Sequence, residues 1–227
     1  MKPLWVADLG VIEYEEAVAL QQALVEKRLN NEIPDTLLLL EHPPVITVGS
    51  SGGEDCLLVS EDMLRRSGVQ LYKTNRGGNI TYHGPGQLVG YPIFDLREHG
   101  KDVHLFLRNL EQLVIDTLAE YRIVAERVDG LTGVWVGGQK ICSEGVAVRK
   151  WISYHGFALN VSPNYQHWSL IHPCGLIGKQ VTSISQLVDK CPEIADVKTV
   201  AASKCAHVFG LEPEQVAAKL LLEIAQS

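Results

Sequence analysis

Residues 123–161 read IVAERVDGLTGVWVGGQKICSEGVAVRKWISYHGFALNV, a run rich in β-branched and aromatic residues. The turn signals Asp129-Gly130 and Gly137-Gly138 punctuate it, so this stretch of the chain reads as consecutive strands with no helix between them. Helices lie on either side. Asp102 opens the longest helical pattern, with Val103, Phe106, Leu107, Leu110, Val114 and Leu118 on one face. Two amphipathic helices are expected downstream, over 195–208 and 213–225. Upstream, Trp5–Ala7 reads as a short strand and Tyr14–Arg28 as a helix ended by Asn30-Asn31. Thr36–Leu40 and Val45–Val48 read as strands around the break His42-Pro43-Pro44, and Ser60 as the N-cap of a brief helix. Val69–Lys73 and the apolar run Leu88–Leu96 add further extended segments. Strands and helices mix without strict βαβ alternation. The expected fold is therefore α/β of the α+β type: one domain over residues 1–227, with a mixed sheet flanked by helices.

Composition narrows the function classes. A chain of 227 residues, 46% of them hydrophobic, buries a sizeable core, and its length suits one large domain. No apolar run approaches the roughly 18–20 residues of a membrane span, and the N-terminus lacks the pattern of a signal peptide. A net charge of −7 argues against bulk nucleic-acid binding, which needs concentrated Lys and Arg. A cytoplasmic protein without membrane or nucleic-acid partners is expected. The five cysteines, at 56, 142, 174, 191 and 205, are odd in number and irregular in spacing, which disfavours a disulfide framework or a zinc site.

Two irregular stretches invite chemistry. Arg76 to Gln87 packs four glycines into twelve residues, which lets backbone approach a ligand and leaves N–H groups free to face it. It reads as a loop, and it matches neither a Walker A loop nor a dinucleotide fingerprint. The second, Ile171–Gly178, lies in a stretch read as irregular over 162–183. There Pro173 and Gly175 flank Cys174 and restrict or free the backbone in a way that can hold a thiol at a cleft. Cys142 competes, because a strand over Gln139–Ser143 puts it on one face with Lys140. A lysine ammonium beside a cysteine lowers the thiol pKa and raises the thiolate fraction.

Three blocks resemble the lipoyl(octanoyl) transferases across nearly the whole chain. They are Arg76-Gly77-Gly78-x-x-Thr81-Tyr82-His83-Gly84-Pro85-Gly86-Gln87-Leu88-Val89-Gly90-Tyr91-Pro92; Gly133-Val134-Trp135-Val136 through Lys140-Ile141 to Tyr154-His155-Gly156-Phe157-Ala158-Leu159-Asn160; and Pro173-Cys174-Gly175 with Val181-Thr182-Ser183. The resemblance implies the fold of biotin and lipoate protein ligase catalytic domains. It implies that Cys174 carries an acyl thioester and that Lys140 tunes its pKa. Arg76, Gly77, Gly78, Asn79, Ile80, Thr81, Tyr82, His83, Ser143, Glu144, Gly145, Gly156, Phe157 and Ala158 would then line the acyl pocket. The reaction implied moves octanoyl from octanoyl-acyl carrier protein to a lysine of an apo lipoyl domain or glycine cleavage H protein, the first step of endogenous lipoate biosynthesis. No cofactor or metal is expected, and the enzyme is expected to act as a monomer. Because those partners are acidic, Arg149-Lys150, Arg65-Arg66 and Lys179 are candidates for a local basic patch.

One position departs from the family's small and apolar pattern, which is replaced here by Cys142-Ser143-Glu144-Gly145. A carboxylate at Glu144 is costly in an apolar pocket unless it is paired or turned to solvent. Three other activities remain open: an ATP-dependent lipoate or biotin ligase, an amidotransferase between lipoyl-accepting proteins, and a binding module with a structural Cys174. A papain-like peptidase is disfavoured, since only His207 follows Cys174 beyond the loop.

Overall fold

The computed structural model describes residues 1–171 and 180–226. In chain order its elements are β1 (Lys2–Val11), α1 (Tyr14–Leu29), β2 (Asp35–Glu41), β3 (Val45–Val48), α2 (Glu61–Arg66), β4 (Gln70–Lys73), β5 (Ile80–His83), β6 (Gln87–Ile93) and α3 (Val103–Ala119). Then come β7 (Glu126–Val128), β8 (Leu131–Val136), β9 (Gln139–Arg149), β10 (Ile152–Asn160), α4 (Tyr165–Trp168), α5 (Ile184–Leu187), α6 (Ile194–Phe209), β11 (Leu211–Gln215) and α7 (Ala218–Gln226).

Eight strands form one mixed sheet in the order β11-β1-β2-β6-β10-β9-β8-β7, parallel at β11-β1-β2 and antiparallel beyond. The leucine run of β2 shows why both faces are covered. Leu37 and Leu39 pack with Phe106, Leu110 and Leu113 of α3 and Ala201 and Cys205 of α6, while Leu38 and Leu40 pack with Leu20 and Leu24 of α1 and Leu221 of α7. Side chains alternate across a strand, so four successive leucines demand an apolar layer on each side. Each such side chain contributes about 1.5–3 kcal/mol on burial. Asp102 caps α3 by accepting from the N–H groups of His104 (2.7 Å) and Leu105 (3.1 Å), as its position before the apolar stripe requires.

A second, three-stranded sheet (β4-β3-β5) buries Ile46, Val48, Ile80 and Tyr82 against Leu64 of α2 and against Trp168 and Ile171. This layer corrects one expectation. The stretch from Arg76 to Gln87 is not all loop, because Ile80–His83 pairs antiparallel with β3. The glycines hide a strand whose four residues are all buried. Another correction concerns residues 213–225. Leu211–Gln215 is an edge strand parallel to β1, with Leu4 opposite Pro213, and the helix begins only at Ala218. Proline is tolerated there because an edge strand leaves one row of N–H positions unpaired. β1 is also far longer than Trp5–Ala7, since pairing on both sides extends it to ten residues. Within 162–183, α4 adds one turn of helix before the segment that holds Cys174, which lies outside the described residues.

Candidate active site

The glycine-rich segment lies on the middle of the large sheet, backbone against backbone. Gly77 N–H donates to the carbonyl of Val146 at 2.8 Å. A methyl at Gly145 would sit 2.5 Å from the Gly77 carbonyl oxygen, and one at Gly49 2.4 Å from that of Gly78. Only glycine admits such an approach. The result is a cavity of ≈ 240 Å³ between the two sheets. Arg76, Gly78, Asn79, Ile80, Thr81 and His83 form one wall; Lys140, Ser143, Glu144, Gly145, Gly156, Phe157 and Ala158 form another. These are thirteen of the sequence-derived candidates, brought together from β5, β9 and β10 and the segment before β5. Gly77 and Tyr82 do not line it: Gly77 is spent on the docking just described, and Tyr82 is buried beneath the small sheet with its hydroxyl 2.8 Å from His167 Nδ1. Tyr14, Ser51, Tyr91, Gly130, Leu131, Thr132 and His155 also line the cavity and were not anticipated. Tyr91 and His155 stand inside the motif blocks, whereas Tyr14 reads in sequence only as part of an amphipathic helix.

Lys140 is buried rather than solvated at a strand end. Its Nζ donates to the Thr132 carbonyl at 3.0 Å and lies 4.9 Å from the centre of the Trp135 ring. Its backbone pairs with the chain that follows the 172–179 segment: Lys140 N–H donates to Gln180 O (3.0 Å) and Thr182 N–H donates to Lys140 O (2.9 Å). Ahead of that segment, Leu58 N–H donates to Leu170 O at 2.9 Å. Both flanks of the Cys174 segment are thus anchored, one of them directly on Lys140.

A buried polar chain ties this anchor to the glycine-rich wall. Arg76 donates to the Thr47 carbonyl (2.7 Å) and hydroxyl (2.8 Å); His83 Nδ1 donates to Gln87 Oε1 (2.8 Å). Gln87 Nε2 donates to Asn160 Oδ1 (2.9 Å), and Asn160 Nδ2 to the Thr182 carbonyl (2.9 Å). The histidines in this layer are neutral. Burial holds His83 well below its ordinary pKa, helped by His42 and Arg76; burial brings His42 to about 4, and burial with Arg76 brings His155 to about 3. His83 is a hydrogen-bonding strut, and a poor proton acceptor. His155 also holds a positive φ of 56° inside β10, with Nε2 3.1 Å from Asn75 Oδ1.

The surroundings of the competing thiol disfavour its thiolate. Cys142 is fully buried in the α3 layer, and burial followed by Glu144 pushes its pKa well above the ordinary range despite Lys140 on the same strand. Burial likewise raises the thiols of Cys56, Cys191 and Cys205. None of the described cysteines favours the thiolate.

Glu144 meets neither condition set by its chemistry. It is not turned to solvent, and among the described residues neither of its buried carboxyl oxygens has a hydrogen-bond partner. Burial first, then the neighbouring Glu111, holds its pKa well above the carboxylate range. The folded state therefore retains a proton that the unfolded chain releases near pH 4, and stability falls as pH rises above that point. Glu144→Gln should flatten this dependence, stabilising the protein at pH 7–8 and leaving it unchanged below about pH 4. Urea denaturation across pH checks this, and an identical pH slope in the variant would refute it.

The candidate basic patches are partly spent on neighbours: Arg149 pairs with Glu26 at 2.6 Å and Arg65 pairs with Asp62, while Lys179 lies outside the described residues. Among the described residues no helix is long and apolar enough to cross a membrane, and no group of three or more His, Cys, Asp or Glu is placed to hold a metal ion.

Known proteins share this sequence pattern and fold. The family model of the lipoyl protein ligase A/B catalytic domain matches residues 13–206. An octanoyltransferase of Caldicellulosiruptor saccharolyticus is 48% identical over 218 residues, covering 95% of this chain and 93% of the relative. That of Desulforamulus reducens is 42% identical, covering 97% of each. In solved structures the fold recurs in a bipartite lipoate protein ligase of Thermoplasma acidophilum, with TM-score 0.79 and 15% identity over 100% of this chain and 91% of that one. It recurs more distantly in a biotin protein ligase of Aquifex aeolicus, with TM-score 0.52 and 13% identity over 92% and 70%. The match over residues 13–206 and the identity to these relatives place the chain: it belongs to the lipoyl protein ligase A/B catalytic-domain family, within it to the octanoyltransferases, and is an acyltransferase.

Proposed function

We propose that the chain, acting as one catalytic unit in the cytoplasm, transfers octanoyl from acyl carrier protein through a Cys174 thioester to a lysine of an apo lipoyl domain or glycine cleavage H protein. The observation that carries this reading is the pairing of Gln180–Thr182 with Lys140 at the cavity wall, which ties the segment following Cys174 to the backbone of the buried lysine. The names of the relatives supply the acyl group; Ile80, Leu131, Phe157 and Ala158 give the cavity apolar surface for it.

In the first half-reaction the Cys174 thiolate attacks the donor thioester carbon. The new carbon–sulfur bond forms as the donor's breaks, and the carrier leaves as a thiolate that takes up the proton Cys174 gave up. In the second half-reaction the acceptor amine attacks the Cys174 thioester. An amide forms, the carbon–sulfur bond breaks, and the thiol is regenerated. Thioester exchange is close to thermoneutral and aminolysis runs downhill, so no nucleotide is needed. Lys140 favours the thiolate by its charge.

The test is transfer without nucleotide. Octanoyl carrier protein, apo lipoyl domain and the enzyme are expected to yield octanoylated domain by intact-mass spectrometry. Product that forms only with ATP and free octanoate would replace this reading with a ligase. Product from an octanoylated lipoyl domain, and none from the carrier, would replace it with an amidotransferase.

A further inference from the structure

The peptide group between Thr132 and Gly133 is bonded at both ends by charged side chains. Its carbonyl accepts from Lys140 Nζ at 3.0 Å, and its N–H donates to Glu111 Oε1 at 3.2 Å. A trans peptide points these two groups in opposite directions, so the ammonium and the carboxylate lie on opposite sides of one dipole. Each charge faces the favourable end, and hydrogen bonds arranged head to tail polarise one another.

The parts around this peptide are built for the arrangement. Glu111 projects from α3 and is 1% exposed. Its other oxygen, Oε2, accepts from Arg108 Nη1 at 2.6 Å and from Arg127 Nε at 2.9 Å, which leaves Oε1 to face Gly133. Gly133 holds φ at +107°, a region other residues avoid, and a methyl there would sit 2.5 Å from the Cys142 carbonyl oxygen. The conformation that turns this carbonyl toward Lys140 is thus open only to glycine. Arg108 and Arg127 hold Glu111 in place, so it faces this ammonium through the peptide.

We infer that Glu111 is a positioning residue for acyl transfer: through the Thr132–Gly133 peptide it fixes the Lys140 ammonium at the cavity wall. This rests on the reading of Lys140 as the group that tunes Cys174. Loss of the carboxylate charge weakens the hold on this peptide, and the Thr132 carbonyl is no longer fixed as an acceptor for the ammonium.

Glu111→Gln, nearly isosteric, is the test, made in the full chain. Two readouts are taken: the Lys140 Nζ signal by nitrogen-15 NMR, and the pH midpoint for alkylation of the reactive thiol. The variant is expected to unfold cooperatively, to lose or shift the Lys140 signal and to raise the alkylation midpoint. It should also lower kcat about tenfold with the KM of the acyl donor unchanged, the size expected for one charge-assisted hydrogen bond. In a Lys140→Ala background it should add no further shift in midpoint. An unchanged Lys140 signal overturns the inference, and so does an equal midpoint shift with or without Lys140, which would make Glu111 a purely structural brace. Should Lys140→Ala itself leave the midpoint unmoved, the thiol-tuning reading falls, and the NMR signal alone decides the positioning role. If Glu111→Gln does not fold, Arg127→Gln loosens the same carboxylate from the surface side. A smaller signal change is then expected, and no change overturns the inference.

Discussion

Cys174→Ser is expected to leave the protein folded and abolish acyl-enzyme formation, whereas Cys142→Ser still takes up the acyl group. Removing the nucleophile of a covalent mechanism costs transfer on the order of 10⁴-fold or more. The contrast follows from the surroundings of the competing sulfur. Cys142 shares a strand face with Lys140, but burial and the adjacent Glu144 outweigh that attraction and keep its thiol protonated. Its replacement places a hydroxyl in the α3 layer, at a stability cost of about 1–3 kcal/mol, without touching the thiolate. Intact-mass spectrometry after incubation with octanoyl carrier protein distinguishes the two variants. An adduct on Cys174→Ser, or none on folded Cys142→Ser, would reverse the assignment.

Gly145→Ala is expected to open the cavity wall. The added methyl lies 2.5 Å from the Gly77 carbonyl oxygen and 3.4 Å from Arg76 Cδ, and the nearer atom is backbone held by the Gly77–Val146 bond. The glycine-rich segment must shift as a unit. Overpacking of this kind costs about 1–3 kcal/mol of stability, and displacing a wall by about 1 Å costs roughly 100-fold in rate. Gly10→Ala is the control, because its φ of +63° is strained for alanine but nothing lies within 4 Å. It should lower the thermal midpoint slightly and leave transfer kinetics unchanged. If Gly145→Ala transferred octanoyl as well as the parent, the glycine seam would have no part in forming the site.

Much of this architecture is legible in the sequence because local and tertiary demands agree. The leucines of β2, the capped stripe of α3 and the turn-punctuated run from 123 to 161 each fold as their pattern dictates. Where the sequence misleads, a tertiary contact has won. Leu211–Gln215, with Pro213 and two glutamates, has the composition of a helix start, yet β1 offers an open edge and takes it as a strand. Ile80–His83 is masked by flanking glycines whose purpose is backbone docking, not looseness. Cys174 and Lys140 stand out from their own settings and take their roles from the resemblance, but spacing alone does not reveal that Lys140 is buried. Glu111 did leave a signal: it occupies the apolar stripe of α3, four residues after Leu107 and three before Val114. A carboxylate on a core-facing stripe calls for partners, and its partners are Arg108, Arg127 and the Gly133 N–H.

The pairing of β1 with β11 also bears on how the protein is made. These strands join near-opposite ends of the sequence, with Lys2 beside Leu211, and almost the whole chain lies between them. During synthesis the outer edge of β1 therefore waits without its partner until the last strand leaves the ribosome. That edge carries unpaired N–H and C=O groups beside Leu4 and Val6, the kind of template on which nascent chains associate. Shortening the protein before residue 211 would make this transient exposure permanent, with insolubility the expected outcome long before any loss of chemistry.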